Sequence, residues 1–429
     1  MFSHLQQLIR RGLQPILPGG ELRRDLLVST ADAVVFSVMV GCGETYIPAF
    51  ALALGLGPVA AGMLASLPVL AGALVQLVTP LAVARLGTNL GWCVACTTVQ
   101  ALSFVPLVAW AIRGHAALWE LLLAASVYWS AGMAGGPAWN TWIGTLVPEK
   151  MRTAFFAQRN RLAQFGVFVG FVMGGLALQF GEGRGSALLA FAAIFAVAGV
   201  CRLASTLLLA SCREMQRPSG PIATADGVPS IATRLRRAVA TMARSPSGAL
   251  VTYAWALSFA AHFSGPYFTP YMLRERGFSY HAFMLVLATQ FLAKAIALPW
   301  LGRLGSQLGS VGLLRVGGLS VIPLAALWLV SANVWYLMGV QFLAGFAWAA
   351  YELGLALLFF DAVPHEERTA VMTAYNLGLA IATVAGAAAG GLLLRALGEN
   401  HTAYYALFVV SSLLRLAAVP LLRRVRALA

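Results

Sequence analysis

The chain alternates between long apolar runs and short polar connections over most of its 429 residues. Many runs reach about 20 residues, the length that a helix needs to cross a hydrocarbon core of about 30 Å. They lack the alternation typical of barrel strands, so the backbone must satisfy its hydrogen bonds within helices. The pattern predicts twelve membrane helices, near residues 28–54, 58–82, 89–111, 117–146, 154–180, 186–211, 247–272, 280–302, 310–331, 335–360, 368–395 and 402–422.

A polar stretch in the middle of the chain divides these helices six and six. We therefore predict an all-α integral membrane protein built from two pseudo-symmetric six-helix bundles. The predicted parts are an N-terminal segment with an interfacial helix (1–27), a first bundle (28–212), a linker with a basic amphipathic helix (213–246), a second bundle (247–422) and a C-terminal tail (423–429).

The two predicted bundles share sequence. VPEKMRTAFFAQRN at 147–160 resembles VPHEERTAVMTAYN at 363–376, and RLGTNLG at 85–91 resembles RLGSQLG at 303–309. A third match pairs the ends of the bundles, at 195–204 and 408–417. An ordered internal repeat in a long hydrophobic chain is typical of secondary transporters, in which the binding site lies between the halves.

Composition and charge support a membrane protein. Only 10% of the residues are charged, against about 25% in soluble domains, and 60% are hydrophobic. The net charge is +14, and most arginines fall before the first helix, after the fourth, between the halves and at the C-terminus. This distribution predicts that both termini are cytoplasmic. We expect the membrane to be the inner membrane of a bacterium. We interpret the charge as a topology signal that contacts anionic lipid, with no nucleic acid as partner.

Ionisable side chains at membrane depth are costly and are therefore functional candidates. Glu44 lies just past the middle of the first helix, followed closely by Tyr46, and His262 lies at a similar depth in the seventh helix, followed by Tyr267. A Glu and a His that face one cavity could bind and release protons near neutral pH. The alternative is that Glu44 is neutral or paired and only braces helix packing.

Other candidates are polar side chains in helices 4, 8 and 10. Lys294 needs a carboxylate or an anionic substrate, and Glu352, next to Tyr351, is its natural partner in the chain. Gln290 lies one turn before Lys294 on the same face. A purely structural ion pair is the alternative. Asn140 could add a hydrogen bond to the cavity, or could be an interhelical amide.

Small residues recur at a spacing of four in helices 5 and 11, where they let helices approach closely. These packing candidates are Gly166, Gly170, Gly174, Gly175, Gly386, Gly390 and Gly391. The repeated VP segment lies at the predicted cytoplasmic turns after helices 4 and 10. We expect its Arg152 and Arg368 to contact carbonyls or acids of neighbouring helices there, as part of a gate.

Motifs of soluble enzymes are absent from the sequence. There is no Walker loop, dinucleotide-binding fingerprint, HExxH or GxSxG, so we expect neither an enzyme nor a bound cofactor. Cys93 and Cys96 form a lone CxxC in an apolar run, without a second pair or a nearby His, and we interpret them as core residues. The sequence therefore predicts no metal site.

Two six-helix halves, a basic linker and cytoplasmic termini resemble the major facilitator superfamily over nearly the whole chain. In that family the loops after helices 2 and 8 carry a G-x-x-x-D-R-x-G-R-R pattern. Arg85 and Gly87 match it in the first copy, and Arg303 and Gly305 match it in the second. A G-x-x-x-G-P-x-x-G-G pattern of many exporters matches the helix 5 glycines, with Phe171 in the proline position.

The resemblance implies a monomer in which two bundles rock around a central site that binds a small molecule. We expect proton-coupled export of a small, partly hydrophobic compound, with Glu44 as the main proton site. One alternative is a proton symporter that imports a small polar or anionic solute, with Lys294 receiving the anion. An alternative of another class is a non-transporting membrane sensor or an intramembrane enzyme.

Overall fold

The computed structural model describes residues 21–214, 233, 236, 248–362 and 368–425. All regular structure in these ranges is helical. The predicted interfacial helix in 1–27, the amphipathic helix of the linker and most of the C-terminal tail lie outside the described residues. The chain separates into two compact units, which are Met1–Phe50 with Ala71–Pro229 (unit 1) and Ala51–Leu70 with Ser230–Ala429 (unit 2).

The described part of the first half contains ten α-helices, and 3-10 turns at Glu44–Tyr46 and Gln76–Val78 separate two pairs of them. They are α1 (Glu21–Cys42), α2 (Ile47–Ala53), α3 (Pro58–Leu64), α4 (Leu67–Val75), α5 (Thr79–Leu86), α6 (Asn89–Leu102), α7 (Phe104–Arg113), α8 (Leu118–Leu146), α9 (Glu149–Glu182) and α10 (Ala187–Ala210). In unit 1, α1 packs against α9 and α10, and α6 packs against α8 and α10.

The second half contains seven α-helices in its described residues. They are α11 (Gly248–Ser264), α12 (Phe268–Pro270), α13 (Tyr280–Ser320), α14 (Val334–Ala362), α15 (Arg368–Ala396), α16 (His401–Ala417) and α17 (Val419–Arg424). In unit 2, α13 packs along α14, and α11 packs against α15 and α16.

Ten helical segments in the described residues are long and apolar enough to cross a membrane, and each overlaps one predicted span. The two remaining predicted spans coincide with α8 and with α11. The outer faces of the segments are apolar, since side chains such as Leu102, Val200 and Leu207 are more than half exposed. Exposed leucines and valines are expected where hydrocarbon replaces water around a helix. The protein is therefore a multi-pass membrane protein with an all-α fold.

The unit boundary falls within the second predicted span, since Leu70 belongs to unit 2 and Ala71 to unit 1. The first part of that span, α3, packs against α15. Gly62 permits a close approach of α3 to the second half, because a Cβ atom at this position would overlap the Tyr267 ring. The sequence analysis placed the whole span in the first bundle, whereas its first part packs with the helices of the second half.

Glycines set the approach of paired helices in both units. A Cβ atom at Gly170 would overlap the carbonyl oxygen of Val38 on α1, and one at Gly386 would overlap that of Phe259 on α11. Gly166 and Gly174 also contact the α1 segment, and Gly390 contacts α11. The glycine rows on α9 and α15 thus make equivalent close contacts, one with the first helix of each half.

The two copies of the RLG segment differ in backbone. Gly87 ends α5 in the left-handed region, with φ of 71°, and its N–H donates to the Val83 carbonyl. In the second copy the helix continues through Gly305, and the break comes later, at Gly309, with φ of 70°. The predicted connection between helices 8 and 9 is therefore a kink within α13.

Candidate functional site

Glu44 lies at a break in the first membrane helix. α1 ends at Cys42, and Glu44–Tyr46 form a 3-10 turn before α2. Pro48 has no N–H to bond the Glu44 carbonyl, which instead accepts a bond from the N–H of Ile47. The backbone at Gly43 packs closely against Phe104 and Ala198, and a Cβ atom at this position would overlap both side chains. The break turns the Glu44 side chain into the interior of unit 1.

The Glu44 carboxylate is held by Tyr128 of α8. The phenol of Tyr128 donates to Oε2 of Glu44 at 2.6 Å and lies 3.3 Å from the sulfur of Met39. Tyr128 is 1% exposed, and its ring packs edge-on against Phe104. Glu44 itself is half-buried. It is thus an acid at membrane depth with one buried donor and a partly exposed side chain.

A second carboxylate in unit 1 lies in a charged network that the sequence analysis did not foresee. Asp32, which is 4% exposed, accepts a hydrogen bond from Oγ of Ser205 at 2.6 Å. Nη1 of Arg202 donates to the same Oγ at 2.9 Å. Nη2 of Arg159 lies 3.7 Å from Oδ2 of Asp32. One buried acid therefore pairs directly with Arg159 of α9 and is linked to Arg202 of α10 through the Ser205 hydroxyl.

Aromatic faces and a carbonyl complete this network. The guanidinium of Arg159 lies over the Trp139 ring at 4.4 Å, and its Nε donates to the Ser29 carbonyl at 3.3 Å. The guanidinium of Arg202 lies over the Phe36 ring at 4.5 Å. Arg202 stands in an apolar run, and a cation at that depth is itself a signal of a functional or structural site. The sequence analysis interpreted it only as a marker of the repeat.

Unit 2 brings Lys294 and Glu352 together. Nζ of Lys294 lies 2.6 Å from Oε2 and 2.7 Å from Oε1 of Glu352. This ion pair joins α13 to α14. The side chains are 23% and 51% exposed, so water or a ligand can reach the pair. Gln290 lies half-buried one turn before Lys294. The adjacent Tyr351 is buried against Tyr253 and Trp348, away from the pair.

His262 belongs to a separate polar cluster in unit 2. Its Nδ1 lies 2.9 Å from the Ser258 carbonyl, which can only accept, so Nδ1 carries a proton. Oγ of Ser258 lies 3.3 Å from the same nitrogen and 3.2 Å from Oγ1 of Thr383 on α15. The ring is half-buried. Nε2 is thus the nitrogen that remains to take up a proton or contact a ligand.

Arg415 is the counterpart of Arg202 in the second half, yet it has other partners. It is 4% exposed, and its Nη1 donates to the Val321 carbonyl at 2.9 Å, at the end of α13. Ser264 lies 3.5 Å from Nη2 and donates to Ser411. No acid contacts Arg415 among the described residues, so the duplicated arginine is linked to an acid through Ser205 in unit 1 and bonds only neutral groups in unit 2.

Two tyrosines among the candidates have structural contacts. The hydroxyl of Tyr46 donates to the Phe171 carbonyl at 2.7 Å, and that of Tyr267 donates to the Ala387 carbonyl at 2.6 Å. Both side chains are buried. Each therefore ties the first membrane helix of its half to the glycine-rich helix. Asn140 is exposed on α8, roughly 18 Å along the helix from Tyr128, so it does not join Glu44.

The proposed gating residues are only partly described. Arg85 and Arg303 are exposed, at the end of α5 and within α13. Arg152 and Arg368 lie on helices, but their side chains are outside the part of the chain that the structure describes. No group of three or more His, Cys, Asp or Glu residues in the described ranges has the geometry of a metal site.

Comparisons with known proteins agree with this architecture. Residues 250–428 match the model of the Major Facilitator Superfamily. The crystal structure of a mutant of the nucleoside transporter NupG is similar with a TM-score of 0.67 and 13% identity, over 92% of this chain and 99% of that one. A bacterial homologue of the human lysosomal transporter Spinster, inward-facing and unoccupied, is similar with a TM-score of 0.63 and 16% identity, over 96% of each chain.

No curated protein sequence matches the chain. The sequence match covers the second half, while the structural matches cover almost all of both halves. Residues 250–428 therefore resemble the Major Facilitator Superfamily in sequence, and the fold over almost the full length is similar to that of the two transporter structures.

Proposed function

We propose that this protein is a secondary active transporter that works by alternating access and exports a small, partly hydrophobic compound in exchange for protons. Glu44 is the proton site. The observation that carries the proposal is the position of the Glu44 carboxylate, half-buried at the helix break and bonded to the buried Tyr128. Buried apolar side chains, Met39 and Phe104, hold Tyr128 in place beside the carboxylate.

Protonation of Glu44 provides the coupling. Transfer of a charged carboxylate at membrane depth to a dry environment is costly, whereas transfer of the neutral acid costs less. Proton binding therefore changes which conformation of the transporter is favoured, and a substrate that binds one conformation better shifts the same equilibrium. His262 in unit 2 offers a second group for proton transfer through its Nε2.

The alternative is a proton symporter that imports a small anionic solute at Lys294. The exposure of the pair favours access, but Glu352 already lies within 2.7 Å of Nζ through both carboxylate oxygens. An imported anion would have to displace that carboxylate. This competition is the reason why we place export first.

We also propose that the protein functions as a monomer in the inner membrane of a bacterium, with both termini in the cytoplasm. The support is the clustering of arginines in the segments on one side of the predicted spans. A third possibility, a membrane sensor or intramembrane enzyme without transport, has no separate support from the contacts described above.

The direction of transport can be tested with purified protein in liposomes under an imposed pH gradient. The solutes would come from a panel screened for thermal stabilisation, since a ligand that binds only the folded state raises apparent stability. A proton antiporter accumulates its substrate on the acidic side, and a symporter accumulates it on the alkaline side. If no stabilising solute moves across the membrane in either direction, the transport proposal is wrong.

The proton site has a matched control. Glu44→Gln should abolish accumulation driven by the pH gradient while exchange of labelled for unlabelled substrate continues. Glu120→Gln removes a carboxylate that caps the start of α8 by accepting from the Ala117 N–H, and it should leave coupling intact. Wild-type accumulation in Glu44→Gln would falsify the assignment of Glu44.

A further inference from the structure

Unit 1 contains a groove of about 430 Å³ between α4, α6 and α8. Its walls are mainly alanine and valine side chains, with Trp92 and Cys96 from α6 and two serines, Ser126 and Ser130, from α8. The volume lies within the range of roughly 300–1,000 Å³ that is common for sites that bind small molecules. Glu44 and its partner Tyr128 do not line this groove, so it is separate from the proposed proton site.

The groove opens onto the apolar outer face of unit 1. Val75, Val99 and Val127 are each between 38% and 44% exposed. Beyond Val99 on α6, Leu102 is 61% exposed. All four residues lie on the segments whose length and hydropathy place them across the membrane, or on α8 beside them. Hydrocarbon, rather than water, therefore meets the mouth of the groove.

One end of the groove lies beside a polar loop that has an exposed arginine on its α5 side and the Glu214 carboxylate, which accepts from Thr88 and from the Asn89 N–H, on its α6 side. Trp92 lies in the first turn of α6, and Arg85 lies in the last turn of α5, so both flank the loop at Gly87–Thr88. Arg85 is exposed. Tryptophan and arginine in this arrangement are typical of the interfacial zone, where basic side chains attract lipid phosphate.

The floor of the groove is a point where three helices are joined. The carbonyl of Ala134 on α8 accepts hydrogen bonds from Oγ1 of Thr79 at 2.7 Å and from Nε1 of Trp92 at 3.0 Å. Ala134 and Trp92 both line the groove. An empty space here would deprive the lining side chains of dispersion contacts on one side. An occupant that fills the space restores these contacts beside the hydrogen bonds that join α5, α6 and α8.

We infer that this groove binds the acyl chain of an anionic membrane phospholipid, whose negatively charged headgroup is received by Arg85. A long apolar chain fits a wall that offers almost no hydrogen-bonding groups, and the adjacent cation complements an anionic headgroup. A peptide segment would bring backbone N–H and C=O groups that this wall cannot satisfy. A phospholipid of the surrounding bilayer supplies both the apolar chain for the wall and the anionic headgroup for the arginine.

The acyl chain can be located by cross-linking. The protein is reconstituted into phosphatidylcholine vesicles that contain a trace of phosphatidylglycerol with a photoreactive group on its acyl chain, and the labelled peptides are identified by mass spectrometry. We expect label to concentrate on residues 92–99 and 126–134. Ala95→Phe, at an exposed position on the groove wall, should reduce that labelling by about tenfold, equivalent to roughly 1.4 kcal/mol of binding free energy.

The matched control is Val105→Phe, which adds an aromatic ring at a 63% exposed position outside the groove. It should leave the labelling of 92–99 and 126–134 unchanged. Label that is spread evenly over the exposed helices, or that persists unchanged in Ala95→Phe, overturns the proposed acyl-chain site.

The headgroup contact is tested separately. Photoreactive phosphatidylglycerol should label the groove more than the phosphatidylcholine analogue with the same chain. Arg85→Gln should remove this difference, whereas Arg113→Gln, an exposed arginine at the end of α7, should preserve it. Equal labelling by the two lipids in the wild type, or an unchanged difference in Arg85→Gln, overturns the role of Arg85.

Discussion

Tyr128 donates its phenolic hydrogen to the carboxylate of Glu44 across a distance of 2.6 Å, from α8 to the 3-10 turn after α1. The tyrosine is buried and its ring is packed on Phe104, so the donor cannot easily reorient. Any shift of α8 relative to α1 therefore changes the environment of the Glu44 carboxylate. This contact is the physical link that we propose between helix motion and proton binding.

The Tyr128–Glu44 bond should be measurable as a coupling energy. Tyr128→Phe removes a hydrogen bond to a charged or ionisable group, which contributes about 1.5–3 kcal/mol. Glu44→Met removes the acceptor, and the double variant should lose less stability than the two single variants together. Chemical unfolding of all four proteins in the same detergent gives the cycle. Additive effects, to within about 0.5 kcal/mol, would contradict a direct bond.

Asp32→Asn should destabilise unit 1 strongly. Removing one member of a buried ion pair typically costs about 3–5 kcal/mol, because the remaining charge is left without compensation. Here Arg159 loses its paired acid, and Arg202 loses the carboxylate to which Ser205 links it. The midpoint of thermal unfolding measures the effect.

The control for Asp32 is Glu182→Gln, an exposed acid at the end of α9, which should leave the midpoint close to that of the wild type. An Asp32→Asn protein as stable as the Glu182→Gln protein shows that the network does not hold the helices together. Adding Arg159→Met to Asp32→Asn should recover part of the lost stability, since it removes one uncompensated charge.

The Lys294–Glu352 pair should affect transport more than stability. Exposed ion pairs contribute only about 0.2–1 kcal/mol to folding, and Glu352 is half exposed. Lys294→Met and Glu352→Gln should therefore unfold near the wild-type temperature but transport more slowly. The exchanged double variant Lys294→Glu/Glu352→Lys should transport better than either charge-reversed single variant. Full transport in both neutral single variants means that the pair has no role in the mechanism.

Close packing of α9 on α1 and of α15 on α11 predicts matched effects at equivalent glycines. Gly170→Ala and Gly386→Ala each place a methyl group against a backbone carbonyl, at a cost of about 1–3 kcal/mol for overpacking. Gly136→Ala on α8 meets no atom within 4 Å and should be neutral. Thermal unfolding of the three variants tests this. Equal stability of all three excludes the close approach.

Part of the candidate site was accessible from the sequence. An ionisable residue in an apolar run is recognisable by its cost, and this rule alone singled out Glu44, His262, Lys294 and Glu352. The Lys294–Glu352 contact follows from the same rule, since a cation at membrane depth requires an acid. Arg202 carries the same signal, although its position in the repeat led us to interpret it as a marker of symmetry.

Tyr128 had no such signal. Tyrosines are common in membrane helices, and nothing in the sequence near Tyr128 points to Glu44, which is 84 positions away. The same holds for Ser205, 173 positions from Asp32. Tyr46 and Tyr267 followed promising segments in the sequence, yet their hydroxyls bond carbonyls of the glycine-rich helices.

The sequence by itself determined the membrane helices, their arrangement in two similar halves and the rare charges within them. Hydropathy acts residue by residue, because each apolar side chain gains from hydrocarbon whatever its neighbours are. The partners of each polar side chain depended on helix rotation, on breaks such as that at Glu44, and on glycine contacts that set the distance between helices. Only the tertiary structure decided these, because an interhelical hydrogen bond requires two distant positions to meet within about 3 Å.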